Sequence, residues 1–204
     1  MEIYFVRHGE TGGNVAHRHQ AEDTPLTTMG KKQALEAAEI IKTFEPTHLL
    51  TSSLVRAIET ASAIGEMCEL VPETSYSIIE LERPQHLYGH FHKSPRSLFF
   101  YVRWYLGRTS AEEGESYAEM RLRIGKVKEQ LAQYPADARV VVVTHSVFLS
   151  LFLAHMCREK PLSPLQALQT FRTILSMRNT HVAPVLFDAN AHPQMCPWIL
   201  QKRV

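Results

Sequence analysis

Two histidines and two arginines stand where short apolar runs end. Arg7-His8-Gly9 follows Ile3–Val6. Thr51-Ser52-Ser53 closes the run Thr47–Thr51, with Arg56 in the first turn of the segment after it. Thr144-His145-Ser146 follows Val140–Val143. Each run reads as a buried strand. In open α/β sheets, ligands bind beyond the carboxyl ends of the strands. The four side chains are therefore delivered to one edge of one sheet. A pocket with that content suits a doubly charged tetrahedral oxyanion. Arginine offers planar, bidentate donors to phosphate and keeps its charge. Gly9, Gly12 and Gly13 are expected to let the backbone pass close to the anion. An imidazole is also a competent phosphoryl acceptor when one nitrogen is unprotonated and the other is held by a hydrogen-bond acceptor. Nearby arginines disfavour imidazolium and stabilise charge on the transferring group. Such a site needs no metal. Taken singly, a strand-end histidine is more often structural, and a lone arginine more often a surface ion pair. The convergence of all four is the informative observation.

The elements that position them alternate strand and helix. Ile3–Val6 is the first strand, and His17–Thr27 is loop-like. A helix starts after Thr28-Met29-Gly30 with Ala34, Ala37, Ala38, Ile41 and Phe44 on one face, and Pro46 ends it. Thr47–Thr51 is the second strand. Leu54, Ala57, Ile58, Ala61 and Ile64 mark a second helix, and a third strand is predicted near Tyr76–Ile79. Pro84–Glu113 reads as a partly helical excursion over the main domain. Ser116 with Glu119 fits a capping box, ahead of the stripe Tyr117, Met120, Ile124, Val127 and Leu131. Arg139–Thr144 is the clearest strand, and a helix over Val147–Cys157 follows it. A helix near Pro164–Ile174 and strands near Val182–Phe187 and Trp198–Gln201 complete the chain. Pro184 and Pro197 push those two strands toward a sheet edge. The pattern predicts a three-layer α/β/α sandwich with a mostly parallel sheet, as one domain over residues 1–204, with 84–113 as an excursion or lid over the active edge.

Length and composition agree. A chain of 204 residues and 23.3 kDa suffices for one α/β domain with a sizeable core. Hydrophobic residues make up 45% and charged residues 21%, so a folded chain is expected. A formal net charge of +1 gives no bulk electrostatic case for nucleic acid or an acidic membrane. The longest apolar stretch, Val140–Val143 through Val147–Met156, is interrupted by Thr144, His145, Ser146, Ser150 and His155, so no membrane span is expected. Met1 runs straight into a strand, which argues against a signal peptide. Cys68, Cys157 and Cys196 are few and widely spaced, so no disulfide framework is expected and a reducing cytoplasm fits.

The motifs resemble a known family. Val6-Arg7-His8-Gly9-Glu10-Thr11-Gly12-Gly13-Asn14, then Pro25-Leu26-Thr27, Gly30 and Gln33-Ala34, is similar to the opening signature of the histidine phosphatase superfamily, also called the phosphoglycerate mutase-like family. Thr51-Ser52-Ser53-Leu54-Val55-Arg56-Ala57 with Thr60-Ala61 resembles its second motif. Gly114-Glu115-Ser116 resembles the element before its long helix, and Val142-Val143-Thr144-His145 its late histidine motif. The resemblance spans about residues 3–155. It implies the phosphoglycerate mutase-like fold, with His8 as the phosphohistidine and Arg7, Arg56 and His145 holding the phosphate. Asn14 matches a position that contacts substrate or phosphate. The family's proton donor follows the third strand, where Ile78-Ile79-Glu80-Leu81-Glu82-Arg83-Pro84 offers two carboxylates. Glu80 is favoured, because Glu-x-x-x-Pro resembles many small bacterial members. Glu82, within Glu82-Arg83, resembles the mutases and stays open as the alternative acid. His19-Gln20-Ala21 after Arg18 departs from the Gly-Trp pair of the glycolytic mutases, and Pro84–Glu113 does not resemble their substrate-binding insertion.

The chain has no Gly-x-x-x-x-Gly-Lys phosphate loop and no His-Glu-x-x-His zinc motif. His86, His90 and His92 invite a metal reading, but no carboxylate or cysteine nearby completes a site. The excursion has two readings. Phe91, Phe99, Phe100 and Trp104 with His90, Lys93, Arg96 and Arg103 form either a substrate rim or simple packing. The expected function is a cytoplasmic phosphatase for a small phosphorylated metabolite or a phosphorylated side chain, using neither metal nor cofactor. Its partner is that small substrate, with neither nucleic acid nor membrane. A phosphoglycerate-type mutase, which returns phosphate to a bound acceptor, is the nearest alternative. A catalytically silent phospholigand-binding module is the second, against which the intact His8, Arg7, Arg56 and His145 set argues. Composition leaves the oligomeric state open.

Overall fold

The run Val140–Val143 is buried on both sides because it lies at the centre of a sheet. The computed structural model describes residues 1–108, 114–192 and 194–201. Strand β4 (Arg139–Thr144) pairs in parallel with β1 (Glu2–Arg7) on one side and β2 (His48–Ser52) on the other. The sheet order is β3-β2-β4-β1-β5-β6, where β3 is Glu73–Ser75, β5 Val182–Phe187 and β6 Trp198–Leu200. The β2/β3 pair is parallel, and the β1/β5 and β5/β6 pairs are antiparallel.

Alternation along the central strands sorts their side chains into two cores. Tyr4, Val6, Val141 and Val143 face α2 (Thr28–Lys42) and α3 (Val55–Cys68), meeting Ala38, Ile41, Ala57, Ala61 and Ile64. Ile3, Phe5, Val140 and Val142 face the other way, toward α5 (Tyr117–Leu131) and α6 (Ser146–His155). Helices thus cover both faces of a mostly parallel sheet, as the strand–helix alternation predicts. Ser116 and Glu119 form the expected capping box, and the stripe from Tyr117 to Leu131 is buried. The short α1 (Gly12–Val15) follows β1. The excursion carries α4 (Pro95–Tyr105), and α7 (Pro164–Ser176) precedes β5. Phe100 and Trp104 of α4 join the core, so part of the excursion's aromatic content is packing. Residues 109–113, its far end, lie outside the described residues.

Several expectations are corrected. The third strand is Glu73–Ser75, and Tyr76–Ile78 is a 3-10 turn. The Ser77 N–H turns back to the Ser75 hydroxyl, and the Thr144 hydroxyl donates to the Ile78 carbonyl at 2.7 Å. Ile58 is exposed, because α3 buries the small face Ala57, Thr60, Ala61 and Ile64. Strand β5 is not an edge strand. Pro184 is tolerated because its carbonyl accepts from the Gln201 N–H, which shows that its missing donor faces the β6 side, where β6 has just ended. Cys157 and Cys196 are bridged, with Cα atoms 5.4 Å apart, which leaves Cys68 as the free cysteine. Their sequence spacing hid a pair that the fold brings together, and the cysteine argument for a reducing compartment falls with it. Among the described residues no helix is long and apolar enough to cross a membrane.

Candidate active site

The carboxyl end of β1 is pinned from both neighbours. The His8 amide donates to the Thr144 carbonyl of β4 at 3.0 Å, and the His8 carbonyl accepts from the Thr180 N–H, ahead of β5, at 3.3 Å. Gly9 then passes against the start of α2. A Cβ at Gly9 would meet the Gly30 carbonyl oxygen at 2.5 Å, and one at Gly30 would meet the Glu10 carbonyl oxygen at 2.0 Å. Both glycines are required for this loop-on-helix approach. This contact with Gly30 is reason enough for a glycine at position 9.

His8, Arg7, Arg56 and His145 come together here, and all four are buried, His8 at 3% exposure and His145 at 0%. The His8 and His145 rings lie 5.1 Å apart, centroid to centroid. His8 Nδ1 is 2.7 Å from the Gly9 carbonyl oxygen. A carbonyl only accepts, so Nδ1 carries the hydrogen and Nε2 presents a lone pair. Burial holds the His8 pKa well below the usual imidazole range, and the Arg56 and Arg7 charges push the same way. His145 is lowered likewise, first by burial and then by Arg56. Its Nε2 is 2.7 Å from the Ser52 hydroxyl, which itself accepts from the Leu54 N–H. With that acceptor role filled by Leu54, the Ser52 O–H can donate to Nε2 and leave the His145 hydrogen on Nδ1.

The arginines are held from elements on either side. Arg7 Nη1 donates to the Met177 carbonyl, beyond α7, and Arg56 Nη1 donates to the Ala21 carbonyl at 3.0 Å. Burial lowers the Arg56 pKa to about 10, which leaves it charged at neutral pH, and Arg7 is lowered for the same reason. Arg56 sits in the first turn of α3, where the helix dipole disfavours a cation. Three buried nitrogens at this centre, Arg7 Nε, Arg56 Nε and His145 Nδ1, have no hydrogen-bond partner among the described residues. Buried donors without partners are costly, and an oxyanion is what would satisfy them.

Glu80 closes the site from the opposite core. The N-cap of α6 is His145, whose side chain makes no capping bond. The first orphan N–H groups of that helix go to Glu80 instead. Val147 N donates to one carboxylate oxygen at 3.4 Å, and Phe148 N to the other at 3.2 Å, beside Leu81 N at 3.0 Å. Glu82 is exposed and lies outside the cleft lining. The geometry therefore favours Glu80 over Glu82.

The cleft above His8 has a volume of about 1050 Å³. Arg7, Arg56, Arg83, Lys93 and Arg178 line it, and Glu80 is the acidic residue among its described lining. Asn14 lines it too, with its side-chain oxygen accepting from the Thr11 N–H and hydroxyl. Of the four rim residues expected from sequence, Lys93 is in the wall. His90 and Arg96 lie outside it, 3.3 Å from each other, and Arg103 reaches the Arg108 carbonyl. Of the three excursion histidines His86, His90 and His92, one reaches the cleft. His92 lines the cleft with His17 and His19, and no group of three or more His, Cys, Asp or Glu residues is placed to hold a metal among the described residues. Sequence reasoning missed Arg83 and the segment Met177–Thr180. The latter precedes an antiparallel strand, so it enters the active edge at a strand's amino end, where the carboxyl-end rule does not look.

Comparison with known proteins bears on the family and the fold. The family model described as histidine phosphatase superfamily (branch 1) matches residues 3–188. A curated protein named probable phosphoglycerate mutase GpmB, from Proteus mirabilis (strain HI4320), is 31% identical over 164 residues, 76% of this chain and 74% of that one. A protein of the same name from Klebsiella pneumoniae (strain 342) is 28% identical over 203 residues, 98% of this chain and 88% of that one. Among solved structures, a mycobacterial glucosyl-3-phosphoglycerate phosphatase with VO3 superposes with a TM-score of 0.73 at 23% identity, covering 98% of this chain and 96% of that one. A phosphoserine phosphatase mutant from Entamoeba histolytica in complex with phosphoserine gives 0.76 at 20% identity, covering 98% and 95%. At those identities the superpositions establish a shared fold.

Proposed function

Because the chain belongs to the histidine phosphatase superfamily (branch 1), we propose that it is a metal-independent phosphoric monoester hydrolase that works through a phosphohistidine on His8. One observation carries this reading. His8 Nδ1 is committed to the Gly9 carbonyl, which leaves Nε2 to attack, and Arg7 and Arg56, each with an unpartnered Nε, line the same cleft, with the His145 ring 5.1 Å from that of His8. The Nε2 lone pair forms a bond to phosphorus as the ester P–O bond breaks. The leaving oxygen takes a proton from the Glu80 carboxyl. Water then attacks phosphorus, passes a proton to Glu80, and the N–P bond returns its electrons to His8. The products are an alcohol and inorganic phosphate. Arg7, Arg56, His145 and Asn14 hold the phosphoryl oxygens and stabilise the charge that a metal supplies elsewhere.

A mutase is the second reading. It draws on the curated relatives' printed name and on the further cations Arg83, Lys93 and Arg178 in the cleft, which suit a doubly anionic ligand. Phosphate release from a panel of phosphomonoesters, with and without EDTA, tests both. The expected result is free phosphate without a bisphosphorylated primer and without loss to the chelator. Transfer only in the presence of such a primer would assign a mutase. Inhibition reversed by one specific metal would overturn the metal-free chemistry. Binding without turnover on any ester would mark a silent phospholigand module.

A further inference from the structure

A second cavity opens beside the cleft, and its chemistry is the opposite. It has a volume of about 590 Å³ and lies between α4 and α7. That is the size of a small-molecule subsite. No charged residue lines it among those described. Four of its walls carry aromatic polar atoms, and each of those atoms is already engaged. The Tyr105 hydroxyl donates to the Leu162 carbonyl, the Tyr117 hydroxyl pairs with His155, Trp104 Nε1 donates to the Glu115 carbonyl, and the Tyr101 hydroxyl accepts from Arg83 Nε. What these rings offer the cavity is therefore their hydrocarbon.

The two cavities share a wall. Tyr101, Val147, Phe171 and Ile174 line both. Tyr101 and Phe171 meet edge to face with ring centroids 5.6 Å apart, at that junction. Val147 is the decisive residue. Its backbone N–H donates to the Glu80 carboxylate, while the residue also lines the apolar chamber. A leaving oxygen placed to take a proton from Glu80 is thus one residue from the chamber mouth. We propose that the chamber between α4 and α7 receives the apolar part of the leaving group, so that the enzyme acts on phosphomonoesters of hydrophobic alcohols. This rests on the phosphatase reading above, which by itself leaves the alcohol open.

The test uses a homologous series of n-alkyl phosphates from ethyl to octyl, read by phosphate release, and the matching alkylphosphonates, read by calorimetry. For the native enzyme, kcat/KM and phosphonate affinity should each rise by about fourfold per methylene until the chamber is filled. Two variants outside the catalytic machinery should flatten that rise and leave ethyl phosphate turnover unchanged. Ala167→Phe fills the chamber, and Leu168→Asp puts a charge at its exposed rim. A native series flat with chain length overturns the proposal even if every ester is hydrolysed. So does an unchanged slope in both variants, or a change only in self-association by sedimentation, which would assign the surface to a second copy. If no ester is hydrolysed but phosphonate affinity still climbs with chain length and the variants abolish the climb, the chamber stands and the hydrolase reading fails.

Discussion

The rings of His8 and His145 lie 5.1 Å apart, inclined at 55°, although they are 137 positions apart in the chain. Both are buried, both are held neutral, and they differ in which nitrogen is occupied. His8 donates from Nδ1 to a carbonyl, whereas His145 meets the Ser52 hydroxyl with Nε2. The pair therefore leaves different nitrogens without a protein partner, Nε2 on His8 and Nδ1 on His145. That asymmetry assigns the first prediction. His8→Ala should abolish turnover by several orders of magnitude while the chain stays folded by circular dichroism. His145→Ala should slow the reaction less, because it removes a donor and not the acceptor atom. A near-normal rate in the His8 variant would remove this residue from the chemistry.

Acid should destabilise the fold through the same histidines. His8 and His145 sit well below the usual imidazole value, mainly through burial, and His19 is pushed down to about 3 for the same reason. Above about pH 6.5 neither the folded nor the unfolded chain protonates them. Below it the unfolded chain does and the folded chain does not, so stability falls as pH falls. For His19 the loss runs down to about pH 3. Each group contributes a slope of at most about 1.4 kcal/mol per pH unit. Urea midpoints measured from pH 7.5 to pH 4.5 should decline steadily, and a level profile would contradict the neutral buried rings.

Replacing Glu80 should separate chemistry from stability. Glu80→Gln removes the proton donor but keeps an oxygen for the α6 N–H groups. Esters with poor leaving groups should slow far more than nitrophenyl phosphate, whose leaving group needs little protonation. Glu80→Ala should in addition destabilise the fold by about 1 kcal/mol, the scale of a lost helix cap. Glu82→Gln should do neither. If Glu82→Gln alone shows the leaving-group dependence, the roles are reversed.

Charge removal in the excursion should act at one residue. Lys93 lines the cleft, whereas Arg96 and Arg103 are engaged outside it. Lys93→Ala should raise KM for substrates bearing a second anionic group and leave nitrophenyl phosphate turnover nearly unchanged. Arg96→Ala and Arg103→Ala should leave both parameters as they are. Steady-state kinetics on paired substrates decides, and equal effects for all three would place the whole excursion at the substrate.

The Cys157–Cys196 bridge closes a loop with a sequence separation of 39. Loop-closure entropy puts the upper bound of its contribution at about 4 kcal/mol. Cys157→Ser should lower the urea midpoint, and added reductant should lower the native midpoint and leave the variant's unchanged.

Much of the site was legible because parallel strands announce their ends. Arg7-His8, Arg56 and His145 each follow a β-branched or apolar run, and the carboxyl-end rule carries them to one edge. The helices were legible where a stripe is unbroken, as from Tyr117 to Leu131. What sequence hid has physical causes. Arg178, Asn179 and Thr180 arrive at the amino end of an antiparallel strand, and no local pattern marks that reversal. Arg83 follows a turn whose direction is set by a tertiary bond, from the Thr144 hydroxyl to the Ile78 carbonyl. The Cys157–Cys196 pair depends on where α6 ends relative to β6, and spacing carries no such information. For His90, Arg96 and Arg103 the choice between rim and packing stays open in the sequence, because residue type does not say which side of the excursion, or of α4 within it, faces the cleft.

The bond from Arg7 to the Met177 carbonyl joins residues 170 positions apart, and His8 is fixed on one side by Thr180. During synthesis the amino-terminal strand therefore waits for its last partners. At about 5–20 residues per second, the gap between making His8 and making the segment that clamps it is on the order of ten to thirty seconds. Until then β1 can pair with β4 at most, and Arg7 has no anchor. A chain lacking the segment from Met177 to Thr180 should keep both histidines yet bind phosphate poorly, because Arg7 loses its anchor and the His8 carbonyl loses its clamp.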